Sequence, residues 1–263
     1  LERMAARVHA TLALPDASDL ARANALALLE AGYAAGGGRL PAAEALPEGV
    51  RDLRVMHLRK QEPTGVTWQL AVRGVADAAD TVRGLRVLRG DAVVLDSAAG
   101  VGAWSVEPED DGGHFYELEG PERAAPLDEG AYWIELGTDR TTTLPFVLGG
   151  VTAFGAPRVE SPAPGEITGP RPTLRFEDYR SPTHQPWEPR TLGAWIVPAP
   201  VRSPWRPAWS FWTDRPHSAP AAIDRTLPPG DYWFGLTFGE SRRFGPLTLV
   251  RASRVAVPFR VGG

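Results

Sequence analysis

Leu127-Asp128-Glu129-Gly130-Ala131-Tyr132-Trp133-Ile134-Glu135-Leu136 recurs one hundred residues later as Leu227-Pro228-Pro229-Gly230-Asp231-Tyr232-Trp233-Phe234-Gly235-Leu236. Each copy is followed by a Pro-Phe pair and a double glycine: Pro145-Phe146-Val147-Leu148-Gly149-Gly150 and Pro258-Phe259-Arg260-Val261-Gly262-Gly263. A shared Leu-x-x-Gly-x-Tyr-Trp at one domain length, with a matching end, argues for duplication. In a Greek-key sandwich a Tyr near the start of the penultimate strand folds over a corner. Its hydroxyl bonds to backbone a few residues upstream, and the Gly allows the tight turn. Leu127, Gly130 and Tyr132, and Leu227, Gly230 and Tyr232, are the two expected corners, each Leu closing one end of a core.

The pattern outward from the first copy is that of short strands. Val66, Trp68, Leu70 and Val72 alternate with Thr67, Gln69 and Ala71, which gives one buried face. Leu53, Val55 and His57 alternate in the same way. Leu85–Leu88 and Ala92–Leu95 flank Arg89-Gly90-Asp91. Trp104–Val106 and His114–Leu118 flank Asp110-Asp111-Gly112-Gly113. Both read as hairpins. With Ala131–Leu136 and Thr143–Val147 they make one sandwich of seven or eight strands. In the second copy, strands are expected at Pro157–Val159, Thr173–Phe176, Gly193–Val197, Tyr232–Phe238, Leu247–Val250 and Val255–Val261. The chain holds 28 Gly and 26 Pro, about a fifth of its 263 residues against the usual 12% or so, which suits an all-β chain with many turns.

The Leu-x-Pro-Gly-x-Tyr run at Leu227–Tyr232 resembles the tyrosine corner of fibronectin type III and related bacterial immunoglobulin-like repeats. Ser161-Pro162-Ala163-Pro164-Gly165-Glu166 followed by Pro172-Thr173-Leu174-Arg175-Phe176 is similar to the opening and first core strand of such repeats. Trp68 stands where they often carry a core Trp. The first copy departs in having Asp128-Glu129, the second in its long insert and in Phe176. The resemblance implies a mainly β chain. Its expected parts are a helical N-terminal segment over 1–48, a first Ig/FnIII-like antiparallel sandwich over 49–150 and a second over 151–263, meeting near Gly149–Phe154. The helical expectation rests on Leu1, Met4, Val8 and Leu12, then on Leu20, Ala23, Ala27 and Ala31, ended by Gly36-Gly37-Gly38.

The sequence offers little chemistry. The net charge of −4 argues against nucleic acid. Cys is absent, so no disulfide, thiolate metal site or Cys nucleophile exists. His9, His57, His114, His184 and His217 show no helical ligand spacing, and the acidic run Glu107–Asp111 lacks alternating Ca²⁺ ligands. No metal, cofactor or enzyme activity is expected. Lys occurs once, at Lys60, and the Arg bias points to GC-rich bacterial codons. No apolar run reaches the ~18 residues of a membrane span. The chain opens on Leu1 rather than Met and carries no signal peptide. A removed export signal is compatible with that opening, and the expected location is extracytoplasmic.

The anomaly is the insert at 181–220, which holds Trp187, Trp195, Trp205, Trp209 and Trp212 among nine prolines. Trp195 and Trp209 fit strands and a core role, with Trp195, Trp233, Phe176 and Phe234 filling it. Alternatively the insert presents a stiff aromatic surface, and the two readings can hold for different Trp residues. Trp187, Trp205, Trp209 and Trp212 are the candidate interface. Three functions are open. The first is an interaction or structural module of a bacterial envelope assembly with protein partners. The second is a carbohydrate-binding module, and the third an enzyme with a scattered site.

Overall fold

The computed structural model describes Leu28, Ala31 and residues 45–128, 130–148, 155–177, 188–200, 207–213 and 223–263. Leu28 and Ala31 are helical; the rest of the expected N-terminal helical segment up to residue 44 lies outside these residues, as do Gly149–Phe154.

The alternating runs of the first copy become β1 (Val50–Glu62), β2 (Gly65–Ala76), β3 (Gly84–Arg89), β4 (Ala92–Asp96), β5 (Ala103–Pro108), β6 (His114–Glu119), β7 (Gly130–Gly137) and β8 (Thr141–Leu148). They form one sheet layer in the order β1-β2-β6-β5 and a second in the order β4-β3-β7-β8. Lettered in chain order, this is ABED packed on CFG with an added C′, the immunoglobulin/fibronectin arrangement. Leu53, Val55, Leu70 and Val72 on one layer meet Leu85, Val87, Ile134 and Phe146 on the other in one buried core.

The second copy supplies β9 (Val159–Ser161), β10 (Ile167–Thr168), β11 (Arg175–Phe176), β12 (Glu188–Pro198), β13 (Trp209–Thr213), β14 (Gly230–Phe244) and β15 (Leu247–Val261). Here one layer, β13-β12-β14-β15, is large and the other is the short pair β9 and β11. Leu192, Ala194, Ile196, Phe234, Leu236 and Phe259 make its core, with Leu174 and Leu227.

Both corners are formed. The Tyr132 hydroxyl donates to the Asp128 carbonyl at 2.6 Å and the Tyr232 hydroxyl to the Pro228 carbonyl at 2.9 Å. Tyr132 stacks on Phe146 and Tyr232 on Phe259, each across the ladder from its Pro-Phe pair. Leu127 packs against the first core and Leu227 is buried in the second. Tyr132→Phe and Tyr232→Phe are each expected to lower stability by about 1 kcal/mol, the net worth of one hydrogen bond. Urea denaturation of the two variants checks this, and equal losses would reflect the equivalence of the corners.

The two copies join in a way the sequence did not indicate. Strands expected at Leu247–Val250 and Val255–Val261 are one fifteen-residue strand, and β14 runs six residues past the expected Phe238. The first half of β15 pairs in parallel with β1, from Arg54 opposite Thr248 to Gln61 opposite Val255. A single nine-stranded sheet, β13-β12-β14-β15-β1-β2-β6-β5 with β10 added on β15, therefore crosses both sandwiches. Leu247 and Leu249, near the tip of the β14–β15 hairpin, are buried in the first core.

Candidate functional site

The shared sheet has an inner face, which looks into both cores, and an outer face. The register assigns each side chain. Along β15 the inner face reads Leu247 and Leu249 in the first core, then Arg251 and Ser253, then Val255 to Val261 against the second. Beside them lie His57 and Arg59 on β1, Trp68 on β2 and Glu240 on β14. A polar seam thus separates two apolar cores on one sheet face.

The seam is dry. Arg251 Nε donates to Glu240 Oε2 at 2.8 Å, and Arg251 Nη2 lies 2.6 Å from the same oxygen. Both side chains are buried, at 3% and 0% exposure. The His57 ring stacks on Trp68 at 5.4 Å, and the Arg59 guanidinium lies 5.8 Å from the Trp68 ring centroid. Burial pulls the Arg59 guanidinium below its ordinary value and pushes His57 down from 6.5 to about 4. The His57 imidazole is therefore neutral at pH 7.

Above about pH 6.5 His57 is neutral in both folded and unfolded chains, and its stabilising contribution is fully present. As pH falls through that value the unfolded chain takes up a proton that the folded chain takes up only near pH 4. Stability is lost across this window, by an amount on the order of 2–3 kcal/mol. His57→Phe keeps a ring on Trp68 and is expected to flatten the decline between about pH 7 and 4.5 in urea denaturation. An unchanged pH slope in the variant would sink this assignment.

On the outer face, side chains lie across glycines. A Cβ at Gly193 would stand 2.3 Å from the Trp212 ring, and one at Gly235 would stand 1.9 Å from the Trp195 ring. The two indoles thus occupy the space two missing side chains would fill. Arg254 reaches over Trp195, 5.9 Å from the ring centroid. Trp195 is buried, whereas Trp212 is 53% exposed. Ile167, Trp233 and Pro258 line a depression of about 330 Å³ nearby. Where β14, β15 and β1 meet, a groove of about 370 Å³ has Met56, Val250 and Ser241 in its floor and Arg54, Arg73 and Arg243 around it. Arg54 pairs with Asp52 and Arg73 with Glu117, so its charge is largely balanced.

Of the four candidate interface residues, Trp212 is on this open face. Trp209 is not: it is 5% exposed and packs into the second core opposite Ile196. Trp187 and Trp205 lie outside the described residues. Trp195 and Trp233, expected to fill the core with Phe176 and Phe234, sit on the outer face instead. Leu192, Ala194 and Ile196 on β12, and Phe234 and Leu236 on β14, hold the inward positions. Among the described residues no group of His, Asp or Glu is arranged to hold a metal ion. No described helix is long and apolar enough to cross a membrane.

No family model matches the chain, and no curated protein matches it. Solved structures give faint likenesses. The N-terminal Ig1-2 module of the Drosophila receptor protein tyrosine phosphatase DLAR is 12% identical, over 82% of this chain and 97% of that one, with a TM-score of 0.28. A chain of the complex of Dpr2 Ig1-Ig2 with DIP-Theta Ig1-Ig3 is 11% identical, over 81% and 100%, with a TM-score of 0.23. The FN1-FN3 domains of chicken CNTN1 are 14% identical, over 78% and 66%, with a TM-score of 0.22. Superpositions of that quality carry no argument. The immunoglobulin/fibronectin type of the sandwiches rests on strand order, the two layers of the first copy and the paired tyrosine corners.

Proposed function

We propose that this chain is a non-catalytic interaction module, made of duplicated units over 49–150 and 151–263. It serves as a structural or scaffolding part of a bacterial cell-envelope or other extracytoplasmic assembly. Its partner is a protein that seats on the outer face of the shared sheet around Trp212. The observation that carries this reading is an indole 53% exposed and held over the Gly193 backbone on a sheet continuous with both sandwiches. A large aromatic presented by a stiff platform gives contact area with little ordering entropy to lose on binding. The remaining members of the proposed surface are Trp187 and Trp205.

A photo-crosslinking residue placed at 212 tests it, with the exposed Val93 on the remote edge strand β4 as the control site. A discrete protein adduct from 212 and none from 93, lost with an unlabelled competitor but not with its Trp212→Ala form, is the expected result. Equal labelling from both sites would refute it. A glycan is the second reading, since an exposed indole lying on a sheet is the shape that stacks on a sugar ring. Saturable changes in Trp emission on adding oligosaccharides, abolished by Trp212→Ala, would favour it over the protein partner.

A further inference from the structure

We infer that the parallel ladder between β1 and β15 is a shear clamp, so that this chain bears tensile load through its two ends without either sandwich opening. Three features carry the inference.

The first is direction. β1 opens the described fold and β15 closes it, and the two run parallel over eight paired positions, Arg54–Gln61 against Thr248–Val255. Tension applied before Val50 and after Val261 pulls these neighbours in opposite senses along their own axes. The bonds of a parallel ladder are evenly spaced. Load along the strands falls on all of them together, and none can break ahead of the rest. Antiparallel end strands pulled from adjacent ends would instead open one bond at a time.

The second is protection. The ladder lies inside the sheet, with β14 beyond β15 and β2 beyond β1. Leu249, Arg251 and Ser253 are buried on its inner face and Thr248 and Ala252 on its outer face. The inner face is closed to solvent along this stretch, and the Arg251–Glu240 pair ties β15 back to β14 at mid-ladder. Loosening the middle of the clamp therefore requires exposing Leu249, Arg251 and Ser253 on its inner face.

The third is the load path. In two domains strung on a linker, tension crosses the linker and then each domain in turn. Here the first and last strands touch directly, so tension passes from β15 to β1. Residues 149–154 and the cores stay out of the path until the ladder gives way. This device is independent of what binds around Trp212.

Single-molecule pulling tests the clamp. The chain has no native Cys, so handles attach at introduced thiols alone. Glu48→Cys with Gly263→Cys loads the ladder in shear. Glu48→Cys with Pro246→Cys, placed in the β14–β15 turn, holds the two strands by their adjacent starts and unzips the same ladder. A severalfold higher rupture force in shear, released in one step, is the expected result. Equal forces, or loss of one sandwich at low force before the other in the shear geometry, would overturn the inference. A second measurement keeps it falsifiable if a handle perturbs folding. With a protease site inserted between Leu148 and Gly155, the cleaved 48/263 tether should stay connected at low force and part at the same load as the uncut chain. Separation on cleavage alone would show that the linker carried the load.

Discussion

Glu240→Ala is expected to destabilise the protein by about 3–5 kcal/mol, because it takes a buried charge partner from the Arg251 guanidinium. Glu240 on β14 stands opposite Arg251 on β15, and one carboxylate oxygen receives both nearby guanidinium nitrogens. Neither side chain reaches water, so removal of the carboxylate leaves Arg251 with its charge and a lost acceptor. The size of the loss includes the cost of leaving the buried Arg251 charge without this carboxylate, and so exceeds the net worth of the pair. Replacing both, with Glu240→Leu and Arg251→Met, is accordingly expected to recover most of the stability. Urea denaturation of the single and double variants checks both statements. A single variant that loses less than about 1 kcal/mol, the range of exposed pairs, would mean that solvent enters the seam.

The first sandwich was legible because each of its strands alternates. Val66 to Val72 has one apolar face and one polar face, and the pleat turns that alternation into a core. The corners were legible for a different reason: a Tyr, a Gly and a Leu at fixed spacing, repeated at one domain length, seldom arise by chance. The seam was not legible. Gly239-Glu240-Ser241-Arg242-Arg243 and Arg251-Ala252-Ser253-Arg254 look like loops, since their inward positions hold Glu240, Arg251 and Ser253 instead of apolar side chains. A strand that passes from one core to another must cross a region with no apolar layer above it, and there the pattern signal disappears. Trp195, expected in the core, lies on the outer face. The alternation of Leu192, Ala194 and Ile196 already put it on the opposite face, and Gly235, its cross-strand partner, supplies the room it lies in. Trp209 is the converse case. Two residues from Phe211 on the inner face, it stacks nearly parallel to that ring and turns away from the exposed Trp212. A parallel pairing between the first and last strands leaves no local trace at all, since nothing in either strand names its neighbour.

Leu247→Ala is expected to lower stability by about 2–5 kcal/mol, the range for a large buried aliphatic cut to Ala, and to weaken the first sandwich before the second. By position in the chain Leu247 belongs with the second copy, just after the Gly245-Pro246 turn. By packing it belongs with the first, in the same buried cluster as Leu53, Val55, Ile134 and Phe146. The hairpin that carries it is anchored at its other end by Phe234, Leu236 and Phe259 in the second core. A cavity at Leu247 therefore removes apolar contacts from a core that the residue reaches only through the β14–β15 hairpin. Hydrogen exchange separates the possibilities. The expected pattern is a fall in protection at Leu85, Val87 and Ile134, which lie in the opposite layer of the first sandwich, with a smaller change at Leu192 and Ile196. Leu236→Ala, placed in the second core, serves as the reverse control and should lower protection at Leu192 and Ile196 first. If Leu247→Ala leaves the exchange of Leu85, Val87 and Ile134 unchanged while that of Leu192 and Ile196 rises, the hairpin tip is not part of the first core, and the sandwiches are two separate bodies.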